Sequence, residues 1–191
     1  MSKLNMNFVA LIAASTLALP VFAADTYVID ARHTFPAFEI VHFGYSTQRG
    51  RFNKTSGKIV LDRTAKTGSV DILIDAASVS TGLPKLEEHL RDESFLDAEK
   101  NPNITFKSKS LQFKGDTLVS VPGELTIRGI TKPATLTVNT FHCAPHPMSK
   151  KEVCGADAVV TIKRSDYGIT FALPGLADDV KLLIGVEAIK E

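Results

Sequence analysis

The chain has 191 residues, with 22 basic and 21 acidic side chains, 44% hydrophobic residues and two cysteines. That size and apolar content suit one domain with a substantial buried core. The two charge signs are balanced and interspersed, which argues against a nucleic-acid or anionic-membrane partner, since both depend on a clustered basic surface.

The first residues carry the three parts of a secretory signal: a polar start with Lys3, an apolar run from Phe8 to Leu19, and the small residues Ala23 and Ala24 after the helix breaker Pro20. The apolar run has 12 residues, whereas a membrane-spanning helix needs about 20. No later stretch qualifies as a span. Val21 and Ala23 fit the pair that a signal peptidase reads, and no cysteine near the cut opens the lipoprotein route. The expectation is a leader over residues 1–23 and a single domain over 24–191, exported to the periplasm. Lys3 leaves with the leader, so the mature domain is formally neutral.

The domain then reads as short apolar/polar alternations, the pattern of antiparallel strands with one buried face. In order, the inward sets are Phe38, Ile40 and His42; Ile59 and Leu61; Val70, Ile72 and Ile74; and Ile104, Phe106 and Ser108. Leu125 and Ile127, Leu136 and Val138, and Ala158, Val160 and Ile162 follow, with a last strand from about Val180 to Ile189. Breaks are expected at Gly50, Gly57, Gly68, Gly115 with Asp116, Gly129, and Lys132 with Pro133. One segment departs from period two. Leu83, Leu86 and Leu90 fall at i, i+3 and i+7, predicting a short amphipathic helix from Pro84 to about Arg91, with Glu87, Glu88 and Arg91 facing outward.

The fold class is therefore all-β. About eight antiparallel strands must close into a barrel or cover their edges, and a barrel of eight holds either packed side chains or one slender ligand. The alternation alone leaves both open.

Cys143 and Cys154 lie close in sequence in a chain bound for an oxidising compartment, which favours a disulfide. The alternative is a metal site, because His142, Cys143, His146 and Cys154 bring four ligand atoms within 13 residues. Their spacing matches no paired zinc motif. G-x-S-x-G, H-E-x-x-H, G-K-[ST] and G-x-G-x-x-G are all missing, which weakens an enzyme reading. His42, in register with Phe38 and Ile40, is either a satisfied interior histidine or a contact for a polar ligand group. His89, among Glu87, Glu88, Asp92 and Glu93, reads as part of a solvated face, and Lys163, Arg164 and Asp166 as surface pairs at a strand end or, alternatively, as residues lining a mouth.

Several runs together resemble the YceI family of periplasmic, lipocalin-like polyisoprenoid-binding proteins: YVIDARHTFPAFEIVHFG from Tyr27, RGRF from Arg49, TGLPKLEEHLRDESFLDAEKNPNITF from Thr81, GELTIRGITKPATLTV from Gly123, HPM from His146 and IKRSDYGI from Ile162. The resemblance covers essentially the whole mature chain. It departs in having no Trp and in its Cys143 to Cys154 loop, which only some members carry.

The resemblance implies an extended eight-stranded antiparallel lipocalin-like barrel, with the helix beside it, enclosing a tunnel for an isoprenoid tail such as that of ubiquinone. The tunnel residues it implies are Phe38, Ile40, Ile72, Phe106, Leu125, Ile127, Leu136, Val138 and Ile162 on strands, Leu86 and Leu90 on the helix, and Phe95 and Phe171 in loops. His42, Tyr45, Arg49 and Tyr167 are the side chains expected to meet a head group. A homodimer and an inner-membrane cytochrome of the b561 type are the implied partners. The bound lipid needs no catalytic residue, metal or catalytic cofactor. The alternatives are an enzyme acting on an isoprenoid or quinone head group, with His42 and Tyr167 as acid and base, and a stress-response envelope protein whose lipid is structural.

Overall fold

A computed structural model describes residues 24–191; the leader expected over residues 1–23 lies outside them. Strands β1 (Asp25–Ile29) and β2 (Ala37–His42) lie end to end along one edge of β12 (Leu176–Lys190). Similarly β3 (Ser46–Phe52) runs on into β4 (Thr55–Asp62), and β5 (Thr67–Asp75) into the two-residue β6 (Val79–Ser80). Each pair acts as one long strand with a break. The three breaks are side by side, joined by Phe52 N–H to Pro36 O, Asn53 N–H to Ser78 O and Asp75 N–H to Lys54 O at 2.8–3.1 Å.

With β7 (Asn103–Ser108), β9 (Thr117–Ile127), β10 (Ile130–Pro145) and β11 (Glu152–Lys163), these strands form an antiparallel sheet in the order β1-β4-β5-β7-β9-β10-β11-β12. Pairing of β12 with β1 closes it. This is the expected eight-stranded barrel, three of whose walls are each built from two strands. Strand β8 (Gln112–Lys114) is a short hairpin partner of β9.

Alternation sets the inside. Tyr27, Ile29, Leu61, Ile74, Ile104, Phe106, Leu125 and Ile127 are buried in one cluster, each such side chain contributing roughly 1.5–3 kcal/mol. A bulge between Val138 and Thr140 shifts the phase of β10, so that Phe141 and Cys143 take over the inward side from Leu136 and Val138. Where β1 stops short of β2, the buried Thr34 hydroxyl replaces the missing ladder contact: it donates to Glu187 O at 3.2 Å and accepts from Glu187 N–H at 3.1 Å.

Two of the expected breaks are hairpin turns, with Gly115 and Gly129 at positive φ. The others lie inside strands: Gly50 in β3, Gly57 in β4, Gly68 in β5, and Lys132 with Pro133 in β10. Gly50 is there to admit the Phe38 ring. Pro133 is tolerated because β10 pairs with β11 only from Thr137 onward, leaving that side of the strand open where no N–H is needed.

Helix α1 (Pro84–Arg91) has the expected bounds, with Pro84 in its first turn. Glu87 does not face outward free. Its carboxylate accepts from Thr81 N–H (2.7 Å), Gly82 N–H (3.0 Å) and Ser80 Oγ (3.3 Å), tying β6 to the helix and holding its pKa below the ordinary carboxylate value.

Cys143 and Cys154 are register partners on β10 and β11 and are joined by a disulfide. The metal alternative is thereby overturned: the sulfurs bind each other, and His146 Nδ1 instead accepts from Met148 N–H and Ser149 N–H in the turn.

Candidate functional site: the barrel cavity

The barrel encloses a cavity of about 660 Å³, within the size range of small-molecule sites. Its wall is aliphatic and aromatic over almost its whole length. At the disulfide end, wall residues such as Tyr27, Leu61, Leu118 and Val121 are buried. Tyr27 fastens that end by donating its hydroxyl to Glu152 Oε1 at 2.5 Å, while Glu152 Oε2 accepts from Arg63 Nη2 at 3.0 Å. At the helix end, wall residues Phe43, Leu83 and Phe171 are about half exposed. The exposed apolar rim of the cavity thus lies at the helix end.

All the tunnel and head-group residues named from the sequence contribute to this wall except Tyr45. Tyr45 lies between β2 and β3 with 88% exposure, three residues past His42, where the alternation of β2 has ended. Arg49 touches the wall, but its guanidinium pairs with Glu39 at 2.7 Å on the outer face and is mainly exposed. Gln48, the register partner of Ile40, is the β3 neighbour of Arg49 that takes an inward position. His42 lies at the rim edge-on to Phe43, with centroids 4.6 Å apart.

Two wall residues depart from the sequence reading. His89 packs edge-on to both Phe95 (4.8 Å) and Phe171 (5.3 Å), while its Nδ1 meets Asp92 Oδ2 at 2.6 Å. It lies three residues after Leu86, so the helical period itself places it on the cavity face. Arg164 forms no surface pair; it is only 3% exposed and lines the cavity, as the alternative reading had it. It continues the inward series Ala158, Val160, Ile162 on to the 3-10 turn Arg164–Tyr167, and donates to four main-chain carbonyls, those of Ile169, Phe171, Leu176 and Ala177, at 2.8–3.1 Å. Burial pulls its pKa down from the ordinary guanidinium value. Lys163 does form a surface pair, with Asp179 at 2.9 Å.

Tyr167, at the end of the same turn, is 2% exposed, and burial raises its pKa, with Asp166 adding to the shift. The arrangement can hold an apolar chain and offers a few polar groups near the helix end.

Comparison with known proteins agrees with this architecture. The model of the YceI-like domain matches residues 27–188. A UPF0312 protein of Pseudomonas aeruginosa is 34% identical over 194 residues, with both chains fully covered, and Protein YceI of Escherichia coli O157:H7 is 34% identical over 193 residues, covering 100% of this chain and 98% of its own. Among solved structures, a polyisoprenoid binding domain from Saccharophagus degradans shares the fold with a TM-score of 0.66 at 19% identity, over 86% of this chain and 98% of that one. A family match across nearly the whole described chain, on a closed eight-stranded barrel with one helix, leads to one conclusion: the chain belongs to the YceI family.

Proposed function

We propose that this protein binds and carries an isoprenoid lipid, a polyprenyl chain ending in a quinone of the ubiquinone type, in the periplasm. The observation that carries this reading is the apolar cavity inside the barrel, walled by buried residues at the disulfide end and rimmed by the half-exposed Phe43, Leu83 and Phe171 at the other. In proportion to the ~150 Å³ that accommodates benzene, its volume accommodates on the order of 25 carbons, or about five isoprene units. Burying that tail at about 0.8 kcal/mol per methylene gives on the order of 20 kcal/mol of gross driving force, much of it offset by association and ordering. A longer tail requires the wall side chains to move apart.

The polyisoprenoid binding domain that shares this fold supports the choice of cargo. The secretory pattern of residues 1–23 and the Cys143–Cys154 disulfide support the compartment. The reading asks for shielding of a water-insoluble molecule, and no bond has to be made or broken.

The test is a transfer assay. Delipidated mature protein is mixed with vesicles containing an isoprenoid quinone, and the vesicles are removed by flotation. The expected result is quinone left in the protein fraction at close to one molecule per chain. Quinone that stays wholly with the vesicles contradicts the proposal.

A further inference from the structure

Among the polar side chains of the cavity wall, Thr55 leaves its Oγ1 without a hydrogen-bond partner on β4, and Arg164 and Tyr167 leave capacity unused together on one turn. The Tyr167 hydroxyl has no hydrogen-bond partner among the described residues, although the residue is 2% exposed and lines the cavity. Arg164 offers five N–H donors. Nε donates to Ala177 O, Nη1 to Ile169 O and Phe171 O, and Nη2 to Leu176 O. The second Nη2 hydrogen has no acceptor among the described residues, and no carboxylate among them pairs with this guanidinium.

The two residues are the first and last of one 3-10 turn. Side chains three apart in such a turn eclipse one another, so both sit on one face. A buried donor without a partner is costly unless something supplies an acceptor. Arg164 also grips the carbonyl of Phe171, whose ring is part of the rim, so the pair lies just below the open end.

We propose that Arg164 and Tyr167 form a head-group site for an oxygen acceptor on the lipid, either a quinone carbonyl or a phosphate oxygen, with the tail directed toward Tyr27. This rests on the isoprenoid-carrier reading. The chemistry suits it: the guanidinium keeps its charge, and the raised pKa of Tyr167 keeps its hydroxyl a donor at neutral pH. An acceptor at this point completes both groups, whereas a hydrocarbon terminus leaves them unpaired.

The test uses delipidated mature protein and three probes of equal tail length: an isoprenoid hydrocarbon, the corresponding quinone and the polyprenyl phosphate. One or both oxygen-bearing probes are expected to bind about ten-fold or more tighter than the hydrocarbon, and the winner identifies the source of the acceptor. Tyr167→Phe, which keeps the ring, should narrow that advantage by about five-fold and leave hydrocarbon affinity unchanged. Arg164→Lys gives a second reading, with its melting curve checking the loop that Arg164 holds. For bound quinone, the infrared carbonyl stretch should lie below its value in alkane and return toward it in Tyr167→Phe.

Equal affinity for all three probes, or an unchanged advantage in Tyr167→Phe, overturns the head-group site and leaves the carrier reading standing. Failure of every probe to bind removes both.

Discussion

The Phe38 ring occupies the space above Gly50, its register partner on β3, with Cε1 2.7 Å from where a side-chain carbon on Gly50 belongs. The Phe106 ring likewise lies over Gly123, two residues from its own register partner Leu125, with Cζ 2.6 Å from the side-chain position. Two rings of the wall thus rest on strands that gave up a side chain to receive them. Gly50→Ala forces Phe38 to move and is expected to destabilise the barrel by about 1–3 kcal/mol in chemical denaturation. Phe38→Leu in the same chain should restore part of that loss. Independent, additive effects contradict the contact.

A charge placed in the lumen should act differently from one placed outside. Leu136 faces the cavity, whereas Lys107 faces out beside Asp71 at 3.5 Å. Leu136→Arg is expected to reduce recovered lipid several-fold, since each ~1.4 kcal/mol of lost binding is a factor of ten. Lys107→Glu should leave occupancy unchanged. Both proteins are checked for cooperative melting, and equal occupancy in the two argues against the cavity as the binding site.

Tyr27 predicts an alkaline limit. Burial first, then the hydrogen bond to Glu152, raises its pKa above the ordinary tyrosine value, which is about 10. The folded state therefore holds a proton that the unfolded state releases. Stability linked to this group is complete below pH ~10 and is lost as pH rises beyond it. Tyr27→Phe should cost about 1–3 kcal/mol at neutral pH and lessen the fall in stability above pH 10. A variant whose alkaline profile matches the parent contradicts the assignment.

Loss of the disulfide is expected to be milder than loss of the core. It closes a short loop of sequence separation 11, for which chain entropy gives about 2–3 kcal/mol. Cys143→Ser with Cys154→Ser should therefore lower the denaturation midpoint while leaving a cooperative barrel. Without residues 1–23 the parent chain should remain in the cytoplasm with both thiols reduced, as alkylation read by mass would show.

Much of this was legible in the sequence, because the strands with one apolar face announce themselves by period two. β4, β5, β7 and β11 do so plainly. β3 does not: its inward positions are Ser46, Gln48, Gly50 and Phe52, and three of these carry no apolar signal. Glycines inside strands read as turns because the sequence does not show which neighbour needs the room, the Phe38 ring at Gly50 or the Asp71 and Val60 carbonyls at Gly57 and Gly68. Arg164 and His89 were readable, since both continue the spacing of inward neighbours, but their polarity outweighed their position. The unpaired donors of Arg164 and Tyr167 emerge only when the carbonyls of residues 169–177 are placed around the guanidinium.

The most direct measurement is solvent extraction and mass spectrometry of the mature protein purified from its native host under gentle conditions. A polyprenyl compound with an oxygen-bearing head group is expected in substantial molar yield, and in several-fold lower yield from the Leu136→Arg protein. A parent protein that yields no isoprenoid, or no more than the protein with a blocked lumen, argues against isoprenoid carriage in the barrel.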